Sequence, residues 1–226
     1  MNRHYLTPTT IKHKMTILSK TYDQKEEFWN VLTHGTGLLL SIAGLTILVI
    51  FSSLYQSVWH IVSFSIYGTS LVILYTASTT YHITRKPELR LTLNVFDHSA
   101  IYVLIAGTYT PFTLVTLHGP WGWSLFGVIW GIAIIGIILK LFYTGRFDKL
   151  STIIYVIMGW IVLIAIYPLV NNFSLSGLIW LLAGGLLYTI GAIFYLKNSM
   201  PYNHAIFHVF VLLGSICHFI AVFFYV

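Results

Sequence analysis

The chain has 226 residues, of which 57% are hydrophobic and 8% charged, with a formal net charge of +6 and a mean hydropathy of +0.82. A water-soluble domain needs far more charge than this to cover its surface, so the composition excludes one and indicates an integral membrane protein. The basic balance does not imply a nucleic-acid partner, because the positive residues are distributed as those of a membrane protein are.

In chain order, residues 1–25 are polar and basic, with no apolar stretch of the signal-peptide kind. They read as a cytoplasmic tail near anionic head groups, leaving 26–226 as one transmembrane domain. Seven apolar runs of about 20 residues follow, at roughly 28–51, 58–81, 95–117, 121–143, 150–170, 174–196 and 204–226. Turn residues mark the breaks: Pro87, Gly119-Pro120, Asn171-Asn172 and Pro201. Trp29, Trp59, Trp121 and Trp123 fall at span ends, as an aromatic belt requires. Gly127-x-x-x-Gly131 matches the small-residue packing motif and predicts close helix contact in the fourth span. The fold expected is therefore an all-α bundle of seven transmembrane helices.

The twelve Lys and Arg residues orient it. Arg3, Lys12, Lys14, Lys20 and Lys25 precede the first span, and Arg85, Lys86 and Arg90 lie between the second and third. Lys140, Arg146 and Lys149 belong to the connection between the fourth and fifth, and Lys197 follows the sixth. All are on one side. The positive-inside rule then places the N-terminus in the cytoplasm and the C-terminus outside, in a bacterial plasma (inner) membrane.

That topology converts sequence positions into depths. The second span ends at His82, the third begins just before Asp97, and the seventh begins at His204, so all three lie at cytoplasmic helix ends. His208 is one turn deeper than His204, and Ser78 one turn deeper than His82 on the same face. Asp97 reads as the only carboxylate within a hydrophobic span. Ionisable groups are costly in a membrane and mark functional sites. Three imidazoles from two helices leave one tetrahedral position of zinc open, as in a catalytic site. Asp97 is the candidate base and Ser78 an auxiliary hydroxyl.

Blander roles exist for each group alone. His204 and His208 can be interfacial, Ser78 can bond a carbonyl of the preceding turn, and Asp97 can cap the third span. Shared depth is what these alternatives do not predict. His34 lies in the same layer and is open to use as a spare ligand, an outer hydrogen-bond donor or a packing residue. His98 is rotated about 100° from Asp97, and His218 lies about 15 Å from His208 along the helix, too far to share its ion. Cys217 has no partner cysteine, which excludes an intrachain disulfide.

The motifs Glu26-Glu27-x-x-Asn30-x-x-Thr33-His34-Gly35, Ser78-x-x-x-His82, Asp97-His98-Ser99, Gly107-Thr108-Tyr109-Thr110-Pro111 and His204-x-x-x-His208 give the chain its resemblance to known proteins. It resembles the hemolysin III branch of the progestin and adipoQ receptor family, within a wider superfamily of membrane hydrolases that includes alkaline ceramidases. The resemblance covers essentially everything after residue 25. It implies zinc ligation by His82, His204 and His208, an aspartate (Asp97) in contact with the zinc-bound water, and a cytoplasmic N-terminus. The hormone-receptor members carry a longer N-terminal region, which weighs against a receptor role here.

The expected function is a Zn(2+)-dependent hydrolase of a lipid amide or ester that alters membrane lipid composition, with membrane lipids or free fatty acid as partners and no nucleic acid. A non-catalytic, zinc-stapled lipid sensor is the first alternative. Cytolysis, which the family name suggests, is the second, although a chain this apolar has no soluble state from which to insert.

Overall fold

The computed structural model describes residues 23–144, 147–197 and 199–226. Among them, seven helices are long and apolar enough to cross a membrane. They are α1 (Gln24–Tyr55), α2 (Val58–Ile83), α3 (Pro87–Leu117), α4 (Gly119–Tyr143), α5 (Asp148–Asn172), α6 (Leu175–Leu196) and α7 (Asn203–Tyr225). No strand occurs among the described residues. Helices are the economical solution in lipid, because each satisfies its own backbone hydrogen bonds.

Most helices outlast their apolar runs. The largest difference is in α3, which starts at Pro87, about two turns before its apolar run at 95. Proline suits the first turn, where its missing N–H has no intrahelical partner. Asp97 is therefore ten residues into the helix, and the capping role open to it in the sequence is excluded. Likewise α1 starts at Gln24, so Glu26 and Glu27 belong to its first turn. Asp97 is thus not the only carboxylate held within a membrane helix. The segment expected to be a cytoplasmic tail lies, up to residue 22, outside the described residues, as does Arg146.

Two helices change pitch. Pro111 removes one backbone donor inside α3, and the next turn, Phe112–Leu117, widens to a π-helix. In α5 the turn Ile161–Ala165 tightens to a 3-10 helix. Tyr109 of α3 repairs that break. Its hydroxyl accepts from the Val162 N–H at 2.8 Å and donates towards the carbonyls of Gly159 and Met158 at 2.9 and 3.1 Å.

The packing runs mainly between chain neighbours, α1 with α2, α2 with α3 and α6 with α7, and α1 also meets α7. Helix α3 is the most buried and α5 the least. Close approach of α1 to α2 requires glycine at 37, since a Cβ there would stand 2.5 Å from a Tyr75 ring carbon. The expected contact at Gly127-x-x-x-Gly131 is not made: a Cβ at either position would meet nothing within 4 Å. That face of α4 is turned away from the bundle. A core of Leu48, Phe64, Tyr67, Leu71, Tyr75, Leu104, Phe112 and Val222 lies between the helices, while large side chains such as Ile50, Ile135, Phe142 and Leu175 face outward, where lipid replaces water as the solvent.

Candidate metal centre

The end of α2 and the start of α7 come together because α1 packs against both. His82 ends up four per cent exposed, His204 five and His208 one. The three offer one ring nitrogen each, all within 4.8 Å of one another. The Nε2 atoms of His82 and His204 are 3.2 Å apart. Two nitrogens bound to one tetrahedral zinc at 2.0–2.1 Å stand about 3.3–3.4 Å apart, so this pair already has the spacing of a shared ion. The ring of His208 is 4.4 Å from that of His204 and 5.0 Å from that of His82, centre to centre.

Hydrogen bonding also favours ligation. The Nδ1 of His82 lies 2.6 Å from Oε2 of Glu27, so its N–H points at the carboxylate and the lone pair is left on Nε2, facing His204. Asn30 Nδ2 is 3.4 Å from the same nitrogen and 3.4 Å from Glu27 Oε2. An N–H already given to Glu27 cannot accept from Asn30, and the shorter distance decides the pairing. A neutral imidazole that donates from one nitrogen to a carboxylate and presents the other inward is the arrangement usual for metal-binding histidine. The donor set, its spacing and this tautomer all fit zinc.

Surrounding charges hold the layer together. The other oxygen of Glu27 pairs with Arg90, which stacks over the Tyr81 ring at 4.4 Å and donates to the Thr84 carbonyl at 3.2 Å, at the end of α2. Glu26 Oε1 accepts from the backbone N–H of His204 at 3.2 Å. That is one of the four N–H groups a helix start leaves free, and a carboxylate is favoured at that end of the dipole. Sequence inspection missed both glutamates as site residues, because they precede the first apolar run at 28–51. Their signal was present in the Glu26-Glu27-x-x-Asn30 motif.

Asp97 and Ser78 are buried, at eight and one per cent exposure, and both line a cavity of about 230 Å³ that His204 and His208 also line. Among the described residues the metal-capable cluster comprises the histidines alone and excludes Asp97. The Ser78 hydroxyl lies beside the Asp97 carboxyl and has no other partner in the protein. The rest of the cavity wall is mostly apolar, with Leu104, Phe112, Leu169, Leu181 and Val211 among its lining.

The remaining histidines are placed elsewhere. His34 stacks on His208, rings 3.5 Å apart and 13° from parallel. Near-parallel in-plane lone pairs do not converge on one ion, so His34 is a packing residue of the ligand. His98 also lines the cavity, but its Nδ1 faces Lys140 Nζ at 3.3 Å. Lys140, expected at a loop, is buried in α4 and pairs with Asp148 at 3.2 Å. His218 lies beyond the cluster, its Nε2 donating to the Leu181 carbonyl at 3.1 Å. His60 and His118 lie at the opposite helix ends from the cluster. Cys217 is free and buried.

Comparison with known proteins agrees with the motifs. Residues 22–219 match a family model described as "Haemolysin-III related". Over 202 residues, covering 89% of this chain and 92% of the relative, the sequence is 51% identical to "Hemolysin-3" of Bacillus cereus. It is 48% identical over 201 residues to "Hemolysin-3 homolog" of Bacillus subtilis, covering 89% and 94% of the two chains. A more distant relative is the human "Monocyte to macrophage differentiation factor", 29% identical over 199 residues, 85% of this chain and 81% of that one. With seven membrane-length helices and a family match over most of its length, the chain belongs to the haemolysin-III related family of membrane proteins.

Proposed function

We propose that the protein is a zinc-dependent hydrolase of a lipid amide or ester. One observation carries it: of three converging imidazoles, His204 and His208 line a mostly apolar cavity that also holds a buried carboxylate with a buried hydroxyl beside it. His82, His204 and His208 would hold the ion. Zinc supplies Lewis-acid polarisation of a carbonyl and activation of water near neutral pH. The apolar wall binds an acyl chain and excludes bulk water from the polar end. Asp97 accepts the proton lost as water attacks the acyl carbon, and returns it to the leaving amine or alcohol. Ser78, beside the Asp97 carboxyl, donates to an oxygen of the substrate. The N-terminus is cytoplasmic on this view, and the site opens to acyl chains of the inner leaflet of the bacterial plasma membrane.

The sensor alternative needs a structural zinc, which usually has four protein ligands. The stacking of His34 on His208 removes the fourth candidate and favours the catalytic reading. The haemolysis in the names of the bacterial relatives is, for this chain, an effect of altered lipids.

The test compares lipid profiles of cells expressing wild type, Asp97→Asn and His208→Ala at matched protein levels. Asn is nearly isosteric with Asp but cannot take a proton. Asp97→Asn should keep zinc and lose the lipid change, and His208→Ala should lose both. If Asp97→Asn alters lipids as the wild type does while His208→Ala does not, the protein is a sensor.

A further inference from the structure

We propose that Glu27 is the positioning residue of the metal centre: it fixes the His82 ring so that Nε2, and not Nδ1, faces the ion. The inference rests on the zinc reading above and assigns a role to a helix, α1, that supplies no ligand. The geometry is a relay. Arg90 of α3 holds one carboxylate oxygen, and the other accepts the His82 Nδ1–H at 2.6 Å. The Nε2 atom is thereby directed at His204 Nε2, 3.2 Å away. Both oxygens of Glu27 are occupied, so Glu27 is not itself a ligand, and it lies outside the cluster of convergent donor atoms.

Without the carboxylate, His82 has a second option. Asn30 Nδ2 is 3.4 Å from Nδ1 and donates to it as readily as to Glu27. That bond requires the proton on Nε2, where it would point at His204 and block the ion. Glu27 excludes this tautomer. The adjacent Glu26 acts on the other half of the site, through the His204 backbone N–H. Two consecutive residues of α1 thus touch both ligand-bearing helices.

The experiment measures metal affinity on the full chain, purified in detergent, stripped with a chelator and titrated with Zn2+ and Co2+ against a competing chelator. Glu27→Gln preserves size but removes the charge and brings an NH2 that competes with the Nδ1–H. It should bind zinc about 10–100-fold more weakly than wild type, with a changed visible Co2+ spectrum and a loss larger than any fall in the folded fraction of the metal-free protein accounts for. Glu27→Ala should weaken binding at least as much. Wild-type affinity and spectrum in Glu27→Gln, with His208→Ala metal-free, would overturn the positioning role and leave the zinc reading standing. A loss that merely tracks the unfolded fraction, with an unchanged Co2+ spectrum, also overturns it. Failure of wild type to bind either ion overturns both.

Discussion

At the scale of residues, the centre depends on ligand number. Three imidazoles hold an ion that two hold poorly, and the unsupported ligand pair is easily outcompeted by solvent. Purified wild type should carry about one zinc ion per chain, and His82→Ala and His208→Ala should each lose most of it. His218→Ala should retain it, because that ring is hydrogen-bonded to Leu181 beyond the cluster. Metal analysis of the three variants decides the matter, and equal loss in all three would mean a non-specific ion or a collapsed fold. The convergence of the three histidines was legible in the sequence, since His-x-x-x-His places two rings on one helical face and the charge distribution aligned His82 with them. Glu27 was not legible by the same logic. Hydropathy detects the part of a helix that sits in hydrocarbon, and the polar first turn of α1 looks like tail until its partners, His82 and Arg90, are seen beside it.

At the scale of elements, the same blindness explains the start of α3. Its first two turns, Pro87 to Asn94, are mixed polar and apolar, and only the structure shows them continuing the helix that carries Asp97. The changes of pitch were equally hidden. A 3-10 turn in α5 frees backbone groups that lipid cannot satisfy, and what compensates them is a tyrosine about 50 residues earlier. Tyr109→Phe should therefore be more costly than the loss of one surface hydroxyl. It leaves the Val162 N–H without its acceptor, a cost of about 1–3 kcal/mol. Detergent-based unfolding should register that destabilisation, and amide exchange should rise at residues 159–163. An unchanged exchange rate there would show that the break is supported by other groups.

At the scale of the whole molecule, seven crossings place the ends carrying Lys and Arg on one side, and the metal centre lies at that side. An alkaline phosphatase fused after Val226 should be active, and a fluorescent protein that matures only in the cytoplasm should be dark there. The reverse result would invert the molecule and put the cluster in the outer leaflet. The sequence carries an expectation of orientation because that depends on counts of charge outside the bilayer, whereas helix pitch and rotation depend on packing that no single span encodes.

The two nearest donor atoms of the cluster belong to residues 122 positions apart, while Glu27 and His82 are separated by 55 and Glu27 and Arg90 by 63. During synthesis the first three spans can bring Glu27, His82 and Arg90 together, so one imidazole is oriented early. The other two arrive only with the seventh span. On the zinc reading proposed above, metal loading is a late event in biogenesis, and a nascent chain stalled before that span presents one prepared histidine to the membrane rather than a half-built trap for zinc. The ion, once captured, joins the earliest and latest parts of the bundle, and its presence would report that insertion of all seven helices is complete.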